Sequence, residues 1–82
     1  MGQAVIKFMN LYKISQTENR FHDTYDSAVV CAESEDVARS MNPASKDRDY
    51  SWTSPDNVVV ELIGKAAPGI QQGVVVASFN AG

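Results

Sequence analysis

The chain contains few of the residues on which small proteins often rely for catalysis or cross-linking. Its 82 residues include one cysteine, one histidine and one tryptophan. A single cysteine excludes an internal disulfide and a cysteine-rich zinc site. Seven lysine and arginine residues stand against ten aspartate and glutamate residues, a net charge of −3. This balance argues against direct binding of DNA or of an anionic membrane. No apolar run approaches the ~20 residues that a membrane-spanning helix needs.

The aliphatic residues that are present favour a β-sheet. Ten valines and four isoleucines stand against two leucines, and β-branched side chains suit a pleated surface. A chain of 82 residues is long enough for one hydrophobic core but not for two. We therefore expect a single domain over residues 9–82. Residues 1–8 are expected to be an N-terminal extension, because Met9-Asn10 reads like a second start, and the expected location is cytoplasmic and reducing.

Periodicity and turn signals predict the element order β-β-α-β-β. The predicted strands are Phe8–Gln16, Ser27–Glu33, Asn57–Ile63 and Gly73–Asn80. Between the second and third strands, Ser34 is a suitable helix N-cap, and Pro43 should end the helix at about Asn42. The sequence therefore predicts an α+β fold, a four-stranded and mainly antiparallel sheet with one short helix on one face.

Two long polar loops, Thr17–Asp26 and Pro43–Pro55, hold the candidate ligand-binding residues. In the second loop two cations and two aromatic rings alternate, so an extended segment would place all four on one side. Cations bind phosphates and rings stack on bases, which together favour a nucleotide-type ligand. The predicted ligand-binding residues are Arg20, Tyr25, Lys46, Arg48, Tyr50, Trp52, Thr53 and Ser54. The alternative is a solvated loop that Trp52 anchors over the edge of the core.

One short helix can cover only one face of the sheet, yet the second and fourth strands carry apolar residues on both faces. An apolar sheet face without cover indicates a partner, and the simplest partner is a second copy. The residues expected in this homo-oligomer interface are Val29, Cys31, Val75, Ala77 and Phe79. The alternative is that the segment Ala4–Phe8 or the loops cover the face.

The sequence does not favour catalysis or a cofactor. Cys31 falls inside a predicted strand, where a cysteine behaves as a small hydrophobe, and nothing orients His22 as its base. The acidic residues match no calcium-binding loop, because helix and turn formation accounts for their positions. The glycines match no phosphate-binding loop. We expect neither a metal nor a cofactor, and no enzymatic activity.

Four stretches give the chain a resemblance to a group of viral proteins. They are LYKISQTEN, HDTYDSAVVCAESEDVAR, WTSPDNVVVELIG and ASFNAG. Together they resemble small accessory proteins encoded by phages and prophages, and the likeness covers residues 9–82. Asp23-Thr24-Tyr25-Asp26-Ser27 and Trp52-Thr53-Ser54-Pro55 are its most distinctive parts.

The resemblance implies a role in counter-defence in the cytoplasm of the bacterial host. Small acidic phage proteins without catalytic motifs often inhibit a defence protein directly, as anti-CRISPR proteins do. Others sequester a nucleotide immune signal inside an oligomer. The leading expectation is an oligomeric sponge for a small nucleotide-type signal. The alternatives are direct inhibition of a host defence enzyme and a structural or virion-accessory module without a ligand. The expected partners are thus a second copy and either a nucleotide or a host protein.

Overall fold

A computed structural model describes residues 8–18, 24–44 and 52–80 and confirms the α+β fold. Its elements are β1 (Asn10–Ser15), β2 (Thr24–Ala32), α1 (Glu35–Arg39), a 3-10 helix (Pro55–Asn57), β3 (Val59–Lys65) and β4 (Gly73–Asn80). The strands lie in the order β3-β1-β2-β4, and every neighbouring pair is antiparallel. β3 and β4 therefore form the two edges of the sheet.

The first two strands form the centre of the sheet, with Asn10 opposite Ala32 and Ser15 opposite Ser27. β2 begins at Thr24, three residues earlier than the sequence predicts, so the predicted loop to Asp26 is too long. Gln16 explains the earlier start: its backbone N–H donates to the Asp26 carbonyl at 3.1 Å, and its side-chain amide donates to the Tyr25 carbonyl at 2.7 Å. These bonds extend the pairing beyond the end of β1.

The helix begins where the sequence predicts. Ser34 is the N-cap, and its hydroxyl accepts a hydrogen bond from the Val37 N–H at 3.3 Å. The helix ends at Arg39, earlier than the predicted Asn42, because the Met41 N–H bonds to the Ala38 carbonyl in a tighter turn. With five residues, α1 is the longest helix in the described ranges, and no helix there is long and apolar enough to cross a membrane.

The core lies between the helix and one face of the sheet, which we call the helix face. The buried apolar side chains of this core are Tyr12, Ile14, Ala28, Val30, Ala32, Ala38, Trp52 and Val58. Val58 belongs to the predicted third strand, but that strand begins only at Val59. The preceding residues form the 3-10 helix instead. This turn starts at Pro55, whose carbonyl accepts a hydrogen bond from the Val58 N–H.

The connection between β3 and β4 crosses the sheet on the face opposite the helix. β3 lies at one edge and β4 at the other, so residues 66–72 must span β1 and β2. Pro68 and Gly69 form a turn in which the Ile70 N–H bonds to the Ala67 carbonyl at 3.2 Å. Gly69 has φ +94°, the conformation that a type II turn requires of its third residue. We call residues 66–72 the crossing segment.

The helix cap gives a direct test of this local structure. Ser34→Ala removes the hydroxyl that accepts from the Val37 N–H, so we expect the free energy of unfolding to fall by about 1 kcal/mol. Ser34→Asp keeps an acceptor at the N-cap and should retain wild-type stability. Urea unfolding followed by circular dichroism measures both variants, and equal losses in the two would contradict the capping role.

Candidate functional site

The predicted ligand-binding residues divide between described and undescribed parts of the chain. Arg20, Lys46, Arg48 and Tyr50 lie outside the described residues. Tyr25, Trp52, Thr53 and Ser54 lie within them. The structure therefore bears on half of the predicted set, and it places those four residues in structural roles, as the next two paragraphs show.

Trp52 is a core residue and presents no stacking face to solvent. Only 3% of its surface is exposed, and it packs in the cluster that joins the helix to the sheet. The alternating pattern of loop residues predicted that Trp52 would share an outward face with the cations. Burial of an indole ring removes a large apolar area from water, and this gain outweighs the local pattern. Burial of Trp52 agrees with the alternative interpretation that this residue packs on the core, and the loop residues directly before it lie outside the described ranges.

The other three residues stabilise local structure. The half-buried Tyr25 packs its ring on Phe79, with the ring centroids 4.8 Å apart and the planes tilted by 57°. Thr53 is half-buried. Ser54 precedes the 3-10 helix, and its hydroxyl accepts from the Asn57 side-chain amide at 3.3 Å.

Cys31 lies inside β2, as predicted, and is fully buried. Its side chain points away from the helix face, because strand residues alternate and its neighbours Val30 and Ala32 face the core. The crossing segment covers it there, and its Sγ lies 3.8 Å from the Ile70 carbonyl oxygen. The thiol is therefore enclosed without belonging to the main core.

The five residues expected in the oligomer interface do not form one surface. Cys31 is enclosed, and Ala77 lies opposite Ala28 and packs against the core. Val29 is half-buried on the face opposite the helix. Val75 and Phe79 remain exposed on β4. The register shifts between β2 and β4 and the cover by the crossing segment thus separate these five residues, and an oligomer interface that includes them stays a prediction.

The face opposite the helix is more polar than the sequence pattern suggested. The exposed Lys13 lies opposite both Glu61 on β3 and Val29 on β2. In the next row across the sheet, Ser15 and Ser27 face each other, and Ser78 continues the row on β4. Each of these two rows also contains an exposed valine, Val76 on β4 and Val59 on β3, so this face combines polar positions with apolar positions at its edges.

The exposed apolar side chains are concentrated at the edges of the sheet instead. Nine large apolar residues are exposed in the described ranges, and seven of them lie on the edge strands. The seven are Val59, Leu62, Ile63, Val74, Val75, Val76 and Phe79. Sequence analysis named only two of them, because it could not assign which strands are edges. The uncharged sequence of β4 is typical of an interior strand, so it gave no signal that this strand lies at an edge.

Two surface depressions accompany these edges. One encloses about 160 Å³ between Lys13 and the strands β2 and β4. The other encloses about 230 Å³ between Phe8, Met9 and the beginning of the crossing segment, and its lining is mostly apolar. Within the ranges that the structure describes, no group of three or more histidine, cysteine or acidic residues converges on a metal position.

Comparison of the chain with protein-family models, with curated protein sequences and with solved structures finds no match. Its functional surface must therefore be judged from its own residues and their exposure.

The burial of Trp52, the single tryptophan of the chain, can be tested by fluorescence. We expect a blue-shifted native emission that acrylamide quenches slowly, followed by a red shift on unfolding. Trp52→Ala should lower the free energy of unfolding by about 3–5 kcal/mol, whereas Trp52→Phe should lose less because it keeps an aromatic ring in the core. Native emission typical of an exposed indole would contradict the core position.

The enclosure of Cys31 can be tested by thiol labelling. The native protein should react slowly with a thiol reagent and rapidly in denaturant, because the crossing segment covers the Sγ atom. Cys31→Ala should lower the free energy of unfolding by about 1 kcal/mol, as a small buried truncation does. Rapid labelling of the folded protein would show that the crossing segment does not enclose the thiol.

Proposed function

We propose that this protein is a non-enzymatic binding protein that works as a homo-oligomer and acts on another protein. The observation that carries the proposal is the exposure of apolar side chains on the edge strands β3 and β4, one group at each edge of the sheet. Exposed apolar surface of this kind marks interaction sites on small proteins. Its position at the edges of a sheet also offers unpaired backbone groups to a partner.

The position of the only thiol supports binding rather than nucleophilic catalysis. Cys31 is fully buried under the crossing segment, so a substrate has no access to its sulfur atom in this conformation. An accessible nucleophile next to an oriented base is the minimum that such catalysis requires. His22, the only histidine of the sequence, lies outside the described residues.

The described residues support a protein as the target more than a nucleotide. The ring best suited to stacking, Trp52, is buried in the core. The Arg39 guanidinium donates to the Val58 carbonyl, and Lys13 lies opposite Glu61 across the strands. Arg39 is thus engaged in the fold, whereas Lys13 is exposed. The burial of Trp52 and the hydrogen bond of Arg39 are the observations that support this choice. Combined with the resemblance to phage accessory proteins, they favour direct inhibition of a host defence protein over capture of a nucleotide signal.

The oligomeric part of the proposal predicts a mass above that of one 8.9 kDa chain at micromolar concentration. Size-exclusion chromatography with multi-angle light scattering measures that mass directly. An integral multiple of the chain mass is expected, because association removes the apolar edge residues from water. A monomer mass across the micromolar range would contradict homo-oligomer formation.

The protein-target part of the proposal is tested with nucleotides as probes. Isothermal titration with cyclic dinucleotides and ADP-ribose should give no binding heat. If a probe binds and returns intact after heat denaturation of the protein, the sponge function replaces the inhibitor function. If a modified product returns, the protein is an enzyme and the proposal is wrong.

A further inference from the structure

β4 has the sequence of an interior strand but the position of an edge strand. It spans Gly73–Asn80 and has only β2 as a neighbour among the described strands. The strand contains no charged residue and no proline. Natural edge strands usually carry such residues, because charge and proline prevent another chain from pairing with the unpaired backbone groups.

The side chains of β4 are exposed even though they are apolar. Val74, Val75 and Val76 are exposed in succession, and Phe79 follows near the end of the strand. Consecutive apolar residues on both faces are typical of strands whose two faces are both covered, so this exposure leaves apolar surface of β4 uncovered within one chain. The helix does not remove this exposure, because it packs mainly on β1, β2 and β3.

The opposite edge carries charged residues, which β4 lacks. β3 contains Glu61 near its middle and Lys65 at its end. Both side chains are exposed. A charge in the middle of an edge strand opposes the approach of a second copy, because identical charges would meet across a two-fold axis. β4 is therefore the edge at which a further strand is favoured.

A second copy of β4 is the partner that suits this edge. An antiparallel pair of identical strands has two-fold symmetry and presents the same surface on both sides. Each chain carries a net charge of −3, so two copies repel each other, and contact through an uncharged strand avoids placing like charges opposite one another. From Val76 to Asn80 the strand continues beyond the register shift near Val75, with a second shift in the pairing to β2 at Ser78 and Phe79. This stretch has about the usual strand length of 5–6 residues.

We propose that β4 pairs antiparallel with β4 of a second copy, joining two four-stranded sheets into one eight-stranded sheet. The pairing satisfies the outer backbone N–H and carbonyl groups of β4 and, over Val76–Asn80, places Val76 of each copy opposite Asn80 of the other. This inference deepens the proposed function, on whose homo-oligomer it rests, by naming the interface and its symmetry.

The test compares substitutions at two residues that are equally exposed and lie on opposite edges of the sheet. Val76 on β4 and Val59 on β3 are each 60% exposed. Val76→Lys places a charge inside the paired stretch of each copy, so light scattering should give the mass of one 8.9 kDa chain. Val59→Lys leaves β4 unchanged, so this variant should keep the dimer mass of the wild type. Circular dichroism and urea unfolding verify that both variants are folded.

A second variant covers the case in which Val76→Lys does not fold. Ser78→Lys introduces the same charge at an exposed β4 position that is already polar, and it too should give monomers. If a folded lysine variant of β4 keeps the dimer mass of the wild type, this result overturns the edge pairing but leaves the homo-oligomer intact. Dissociation by Val59→Lys alone would place the interface on β3 and likewise overturn the pairing. A monomeric wild type would contradict both proposals.

Discussion

The fold depends on the burial of one face of the central β1–β2 pair beneath a very short helix. Tyr12, Ile14 and Val30 from these strands meet Ala38 from the helix in the core. A five-residue helix is only about 7–8 Å long, whereas the axes of four strands span about 14 Å at the usual spacing. The helix therefore covers the middle of the sheet, and Trp52 and Val58 complete the cover from the chain that follows. The edges receive less protection than the centre.

The chain path determines which of the remaining surfaces are covered. Because β3 and β4 lie at opposite edges, the crossing segment must pass over the face opposite the helix, and there it encloses Cys31. The rest of that face carries serines, together with Lys13 on β1 and the oppositely charged Glu61 at the facing position on β3. The apolar residues left in solvent are thus concentrated on the edge strands. β4 combines this exposure with an unprotected backbone edge, and for this reason it is central to the proposed assembly.

Local signals in the sequence were sufficient for the elements. The Ser34 cap and the bounds of β4 follow from the preferences of nearby residues, and the structure confirms both. The start of β2 was wrong because Gln16 forms hydrogen bonds across the loop to Tyr25 and Asp26. Such pairing joins residues nine or more positions apart, which periodicity in a single segment does not reveal.

The candidate site was less predictable because it depends on strand order. Alternation along the second loop indicated which residues share a side, but burial of Trp52 depends on the helix and sheet that surround it. Likewise, the apolar pattern of β2 and β4 predicted that Cys31 and Ala77 share one interface. In the structure Ala77 pairs with Ala28 of β2, and the crossing segment covers Cys31 on the other face of the sheet. Once β4 is known to lie at an edge, its uncharged sequence acquires a functional meaning that the sequence alone did not give it.

Hydrogen exchange of the backbone amides tests the pairing of β4 most directly. In the proposed dimer, the outward amides of β4 donate to a second copy, so they should exchange slowly at high protein concentration and faster on dilution. The amides of the β3 edge should show no such dependence on concentration. Rapid exchange of the β4 amides at every protein concentration would contradict the account. Slow exchange of these amides that does not change on dilution, in a protein that is monomeric, would contradict it as well.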